Sequence, residues 1–168
     1  MKKFELTTEF ITNAFGKKLF RIKALVEFGD VKAGELGGYV EKEENVSQDG
    51  NAWVSGDARV SGDARVSDNA KVSGDARVYG DARVSGNAWV YGDADYALVQ
   101  GFGTEFRCTT FYRGKNKKIM VNCGCFHGDL EGFRKQVKET RNGKIAKEYL
   151  MIADLMEYHF TSEDSSDE

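Results

Sequence analysis

Between Asn51 and Asp95 the apolar positions recur every six residues. Alanines stand at 52, 58, 64, 70, 76, 82, 88 and 94, and valines at 54, 60, 66, 72, 78, 84 and 90. Ala and Val two apart share one face of an extended segment, while the Trp, Arg or Lys between them takes the other. Gly-Asp or Gly-Asn then supplies a turn. Each hexad predicts a very short strand plus a corner. Such a strand cannot bury its apolar face alone, so units of this fixed period must stack into a solenoid.

If three hexads complete one coil, features should also repeat at eighteen. The residue before each Ala is Asp or Asn, and the three Asn (Asn51, Asn69, Asn87) are eighteen apart. The side carrying this ladder also carries Trp53, Lys71 and Trp89. A second side carries Asp57-Arg59, Asp75-Arg77 and Asp93-Asp95, and a third carries Asp63-Arg65 and Asp81-Arg83. Coils about 4.8 Å apart make the strict repeat a short stub that needs caps, a partner copy, or both. Upstream the pattern continues loosely through Leu36, Val40 and Val46. The eight-residue step from Val46 to Val54 implies a two-residue corner insertion. Downstream, Tyr96 replaces the expected Val and is expected to plug the end.

Residues 3–27 alternate as a hairpin around Asn13-Ala14-Phe15-Gly16, and Glu105–Arg113 with Lys118–Cys123 predict another. Asp129 is a plausible N-cap for a helix that buries Leu130, Phe133 and Val137 and stops at Asn142-Gly143. A second, amphipathic helix aligns Ile145, Tyr149, Ile152, Ala153, Met156 and Phe160. The final TSEDSSDE is polar, acidic and expected to be disordered.

The Val-x-x-x-Ala-x hexad resembles the hexapeptide repeat of left-handed parallel β-helices. The segments FRIKALVEFGDVKAGELGGYVEKEENVS and FYRGKNKKIMVNCGCFHGDLEGF look like those of small hexapeptide-repeat proteins common in phages and prophages. In these an N-terminal cap, hexapeptide coils and a CGCF-containing C-terminal segment occur in the same order. The expected fold is mainly β, a short left-handed parallel β-helix with an N-terminal β cap and a C-terminal α+β cap. Its expected divisions are 1–45 (hairpin cap), 46–99 (β-helix), 100–160 (hairpin and two helices) and 161–168 (tail). The resemblance implies a phage context, and related prisms associate through flat sides, so a homotrimer, or alternatively a dimer, is expected.

Composition narrows the chemistry. A net charge of −3 gives no general affinity for nucleic-acid backbone, so duplex nucleic acid is not an expected partner. No apolar run approaches the roughly 18 residues that span a bilayer, and MKKFELTTEF has no signal-peptide core. A cytoplasmic protein, in a host bacterial cell, is therefore expected, with no membrane partner. Hexapeptide acyltransferases place a histidine on a coil as general base, but the histidines here, His127 and His159, lie outside the repeat. The expectation is a protein that is not an enzyme and carries no cofactor. Cys108, Cys123, Cys125 and His127 raise a zinc site as one alternative and thiols packed under the helices as the other.

The Asp-Arg pairs read either as stacked opposite charges that keep the faces soluble or as anion contacts. Stacking at eighteen would put Lys71 between Trp53 and Trp89 in a cation–π arrangement, with Tyr91 and Tyr79 extending that region. Those aromatics either bury against a cap or another subunit, or line a binding surface. The expected function is a non-catalytic, phage-encoded binding protein acting against a bacterial defence system. One form sequesters a nucleotide-type immune signal between subunits, with rings for the base and Arg59, Arg77, Arg65, Arg83 or Lys71 for phosphates. The alternatives are direct binding of a defence protein, or a structural role in the phage.

Overall fold

The computed structural model describes residues 1–92 and 95–161, and the chain divides into two compact units, Met1–Asp93 and Ala94–Glu168. The tail expected over 161–168 lies, after Thr161, outside the described residues.

In the first unit each hexad becomes a two-residue strand. These are β4 (Trp53–Val54), β5 (Arg59–Val60), β6 (Arg65–Val66), β7 (Lys71–Val72), β8 (Arg77–Val78), β9 (Arg83–Val84) and β10 (Trp89–Val90). Every pairing among them is parallel and in register at eighteen residues: β4–β7–β10, β5–β8 and β6–β9. Backbone bonds such as Arg59 N to Ala76 O at 2.9 Å and Ser61 N to Val78 O at 3.0 Å tie successive coils. Alanines 52–88 and valines 54–90 of the repeat are fully buried, which makes a core of small, evenly spaced side chains. The corners need a left-handed residue. At Gly74 (φ 63°) an added Cβ would lie 2.5 Å from the Tyr91 carbonyl oxygen of the next coil.

The coils begin earlier than the strict repeat. Strand β3 (Leu36–Val40) runs parallel to β5 with Tyr39 opposite Arg59, and Val46 bridges Val66. Both steps are twenty residues, whereas Trp53 opposite Lys71 is eighteen, so the two extra residues lie between Val46 and Trp53. Asn45, fully buried, donates from Nδ2 to the carbonyls of Gly62 (3.1 Å) and Ala64 (2.9 Å) at this irregular corner. The hairpin of β1 (Phe4–Thr12) and β2 (Lys18–Ala24) joins the edge of β3, giving the sheet order β1-β2-β3-β5-β8. One side of the coil is thereby extended by an antiparallel hairpin.

The second unit is an antiparallel sheet of β11 (Tyr96–Phe102), β12 (Arg107–Arg113), β13 (Ile119–Cys123) and β14 (Phe126–Asp129). Helices α1 (Leu130–Thr140) and α2 (Gly143–Thr161) bury Phe133, Val137, Tyr149, Ile152 and Phe160 with Phe111 and Val121 of the sheet. Asp129 caps α1, accepting from Gly132 N at 2.8 Å. Tyr96 opens β11, opposite Tyr112, because YALVQGF runs on without the Gly-Asp corner that would return the chain to a further strand of the repeat.

Candidate functional site

The three columns of the coil place the expected contact residues in different surroundings. On the first side Trp53, Lys71 and Trp89 are stacked in register, and the asparagine ladder forms, with Asn51 Nδ2 donating to Asn69 Oδ1 at 3.1 Å and Asn69 Nδ2 to Asn87 Oδ1 at 3.5 Å. The rings, however, do not sandwich the ammonium. Trp53 is only 4% exposed, held edge-on by Phe4 and Phe28 at centroid distances of 6.2 and 5.4 Å. Gly37 lets it in, since a Cβ there would lie 2.7 Å from the indole. Lys71 instead binds Asp30 at 2.6 Å, and that bond holds the Asp30 carboxyl below its ordinary range. An opposite charge within bonding distance outcompetes a ring face. Half-buried Trp89 is met edge-on by exposed Tyr91 at 5.8 Å.

The charged columns keep the eighteen-residue register expected from the repeat. In-register pairing sets identical phases above one another, so Arg59 lies opposite Arg77 and Arg65 opposite Arg83. Like charges directly opposite one another are destabilising by themselves. On the third side Arg65 is exposed, and its neighbour Asp63 is bound by Lys42 at 2.6 Å, which lowers the Asp63 carboxyl.

The second side holds a cleft of about 480 Å³, lined by the hairpin tip and the coil: Phe15, Lys17, Leu19, Glu41, Arg59, Ser61, Arg77 and Tyr79 among others. That volume lies in the small-molecule range of roughly 300–1,000 Å³. The residues form a grid. One column reads Tyr39, Arg59, Arg77, and two residues along the strands the next reads Glu41, Ser61, Tyr79. Rungs are about 4.8 Å apart and columns about 7 Å.

The top of the first column is closed by Arg21, whose guanidinium sits 4.7 Å over the Tyr39 ring and donates to its hydroxyl at 2.8 Å. Below it Arg59 is half-buried and its guanidinium has no partner among the described residues. Glu41 is fixed from two directions, by Lys17 Nζ on Oε1 at 2.8 Å and by Gly62 N on Oε2 at 2.6 Å, and these bonds, Lys17 first, hold its carboxyl below the usual range. Phe15 (88% exposed) and Tyr79 (60% exposed) offer open ring faces.

Tyr79 therefore belongs with Arg59 and Arg77, not with the tryptophans. Its phase, eighteen after Ser61, was available from the repeat. Phe15, Lys17 and Glu41 were not among the expected contacts. Glu41 was traceable as the residue twenty before Ser61, but the tip residues reach the cleft only through the folding of the hairpin.

In the second unit the cysteines and His127 do not converge. The His127 imidazole meets the Tyr112 hydroxyl at 2.8 Å, and the Cys123 thiol accepts from Thr109 at 3.1 Å. Among the described residues no group of three or more His, Cys, Asp or Glu is placed to hold a metal, and no helix is long and apolar enough to cross a membrane.

The coils match the YdcK beta solenoid repeat. The match covers residues 58–74 and 76–92, so this part of the chain is a β-solenoid; the second unit is an antiparallel sheet with two helices. The matched stretches run from Ala58 to Gly74 and from Ala76 to Gly92, nearly two full coils. No curated protein matches the chain.

Proposed function

We propose that this protein is a non-catalytic binding protein that captures a small anion bearing an aromatic ring, of nucleotide type, in the cleft of its β-solenoid. The observation that carries the reading is the half-buried Arg59 guanidinium, without a side-chain partner among the described residues and in register with Arg77, beside the open rings of Tyr79 and Phe15. Arginine supplies planar, charge-assisted bonds to phosphate, and aromatic faces stack bases.

The solenoid is taken as left-handed, capped by the N-terminal hairpin and the C-terminal α+β unit, as the hexapeptide and phage resemblances imply. In that setting the protein is phage-encoded, works in the host cytoplasm and withholds a nucleotide immune signal from a bacterial defence system. The Trp89–Tyr91 surface supports association of copies, a trimer first and a dimer second. The exposed Tyr91 ring on half-buried Trp89 also supports the second reading, direct binding of a defence protein.

Titration calorimetry of the purified protein with a panel of mononucleotides and cyclic dinucleotides tests the proposal. Binding of at least one, weakened at least tenfold by Arg59→Ala, with the ligand recovered intact on heating, is the expected result. No binding across the panel overturns it, as does conversion of the ligand.

A further inference from the structure

Lys17 and Glu41 are more than a latch between the hairpin tip and the coil. Lys17 Nζ lies 2.8 Å from Glu41 Oε1, and Glu41 Oε2 is pinned by the Gly62 N–H at 2.6 Å, so the three polar atoms run in a fixed order of donor, acceptor, acceptor. The ammonium has three donors and the carboxylate about four acceptor sites; one ammonium donor and two acceptor sites are used by these bonds. Both residues line the cleft, and Glu41 is four-fifths covered while Lys17 remains open.

The complementary molecular edge reads acceptor, donor, donor. Among nucleobases this is the pairing edge of guanine, with its O6 carbonyl, N1–H and exocyclic N2 amine. Adenine offers a donor and then a bare ring nitrogen, which would face a carboxylate lone pair. A carboxylate also repels phosphate, so it fixes the ligand's direction. Arg59 sits one rung down and one column across, about 8 Å away at the backbone.

We infer that Glu41 and Lys17 form a guanine-reading subsite, with the phosphate directed to Arg59 and the ring faces supplied by Phe15 or Tyr79. This rests on the cleft being a nucleotide site, and it names which nucleotides that site selects.

Calorimetric titration of the full chain with guanosine, inosine and adenosine monophosphates tests the inference without altering the protein. Guanosine should bind at least tenfold tighter than adenosine. Inosine, which keeps the carbonyl and N1–H but lacks the amine, should fall between them. Glu41→Gln should abolish the order, and Lys17→Met should shrink it without abolishing it. Equal affinities, or a preference for adenosine, overturn the guanine subsite and leave the nucleotide reading standing. Failure of all three to bind overturns the guanine subsite, and failure of the cyclic dinucleotides as well overturns both.

Discussion

Two sides of one solenoid have been put to different uses. The tryptophan side interrupts an otherwise uniform run of basic residues, yet it is largely taken up internally: Trp53 is buried under Phe4 and Phe28, and Lys71 is bound to Asp30. The arginine side is monotonous in sequence, yet it carries the cleft, open rings and, at Arg59, a guanidinium without a partner among the described residues. The difference teaches that conspicuous residues in a repeat report where something else folds onto it. A candidate surface is found by asking which ordinary residues were left uncovered.

The sharpest way to break this comparison is stability. Trp53→Ala should cost about 3–5 kcal/mol, as for other buried large aromatics, whereas Arg59→Ala should change stability by less than about 0.5 kcal/mol because it relieves a like-charge stack. Urea unfolding midpoints decide it. Comparable losses for the two variants would mean that the arginine column is part of the framework.

A somewhat smaller effect comes from pH, and it acts on the tryptophan side alone. Lys3 is 4% exposed, donates to the carbonyls of Ala52 (2.9 Å) and Gly50 (3.3 Å), and lies 4.6 Å over the Phe28 ring. Burial lowers its pKa from 10.5 to about 8. Above that value the folded protein has released the proton while the unfolded chain still holds it until its own ordinary value is reached. Stability should therefore rise with pH across this interval, and below it the buried charge subtracts. The gain, on the order of 2 kcal/mol, should appear in the wild type relative to Lys3→Met when urea midpoints are compared at the two ends of the interval. A difference that stays flat or falls would show that Lys3 keeps its proton in the folded protein.

The least effect is expected at the ladder beside the tryptophans. Asn69→Ala removes two side-chain bonds and Asn87→Ala removes one. On exposed positions they should cost about 1 and about 0.5 kcal/mol respectively, read from thermal midpoints. Equal losses would mean that the number of ladder bonds does not set the cost.

Much of the fold was legible because in-register stacking turns sequence spacing into spatial neighbourhood. The six-residue alternation gave the strands, the eighteen-residue spacing of Asn51, Asn69 and Asn87 gave the coil, and the long step from Val46 to Val54 gave the insertion that the Tyr39–Arg59 pairing displays. The helical faces and the Asp129 cap were equally local. What was not legible depends on long-range closure. Nothing in the period says that Phe28 and Asp30 would cover Trp53 and neutralise Lys71, that the tip at Phe15 would overhang Arg59, or that Tyr96 would leave the coil for a strand opposite Tyr112. The candidate cleft was half visible. Arg59, Arg77 and Tyr79 were anticipated as contacts, but their grouping with Lys17 and Glu41 was not.

The eighteen-residue register also fixes how such a molecule can change in length. Duplicating one whole coil would add a rung to every column at once, lengthening the row of guanidinium groups while each side keeps its character. Gaining or losing a single hexad would advance everything after it by one side and carry Trp89 onto a column of arginines. Whole coils are thus the natural unit of growth, and the reach of the arginine row can be altered in steps without redesigning the core.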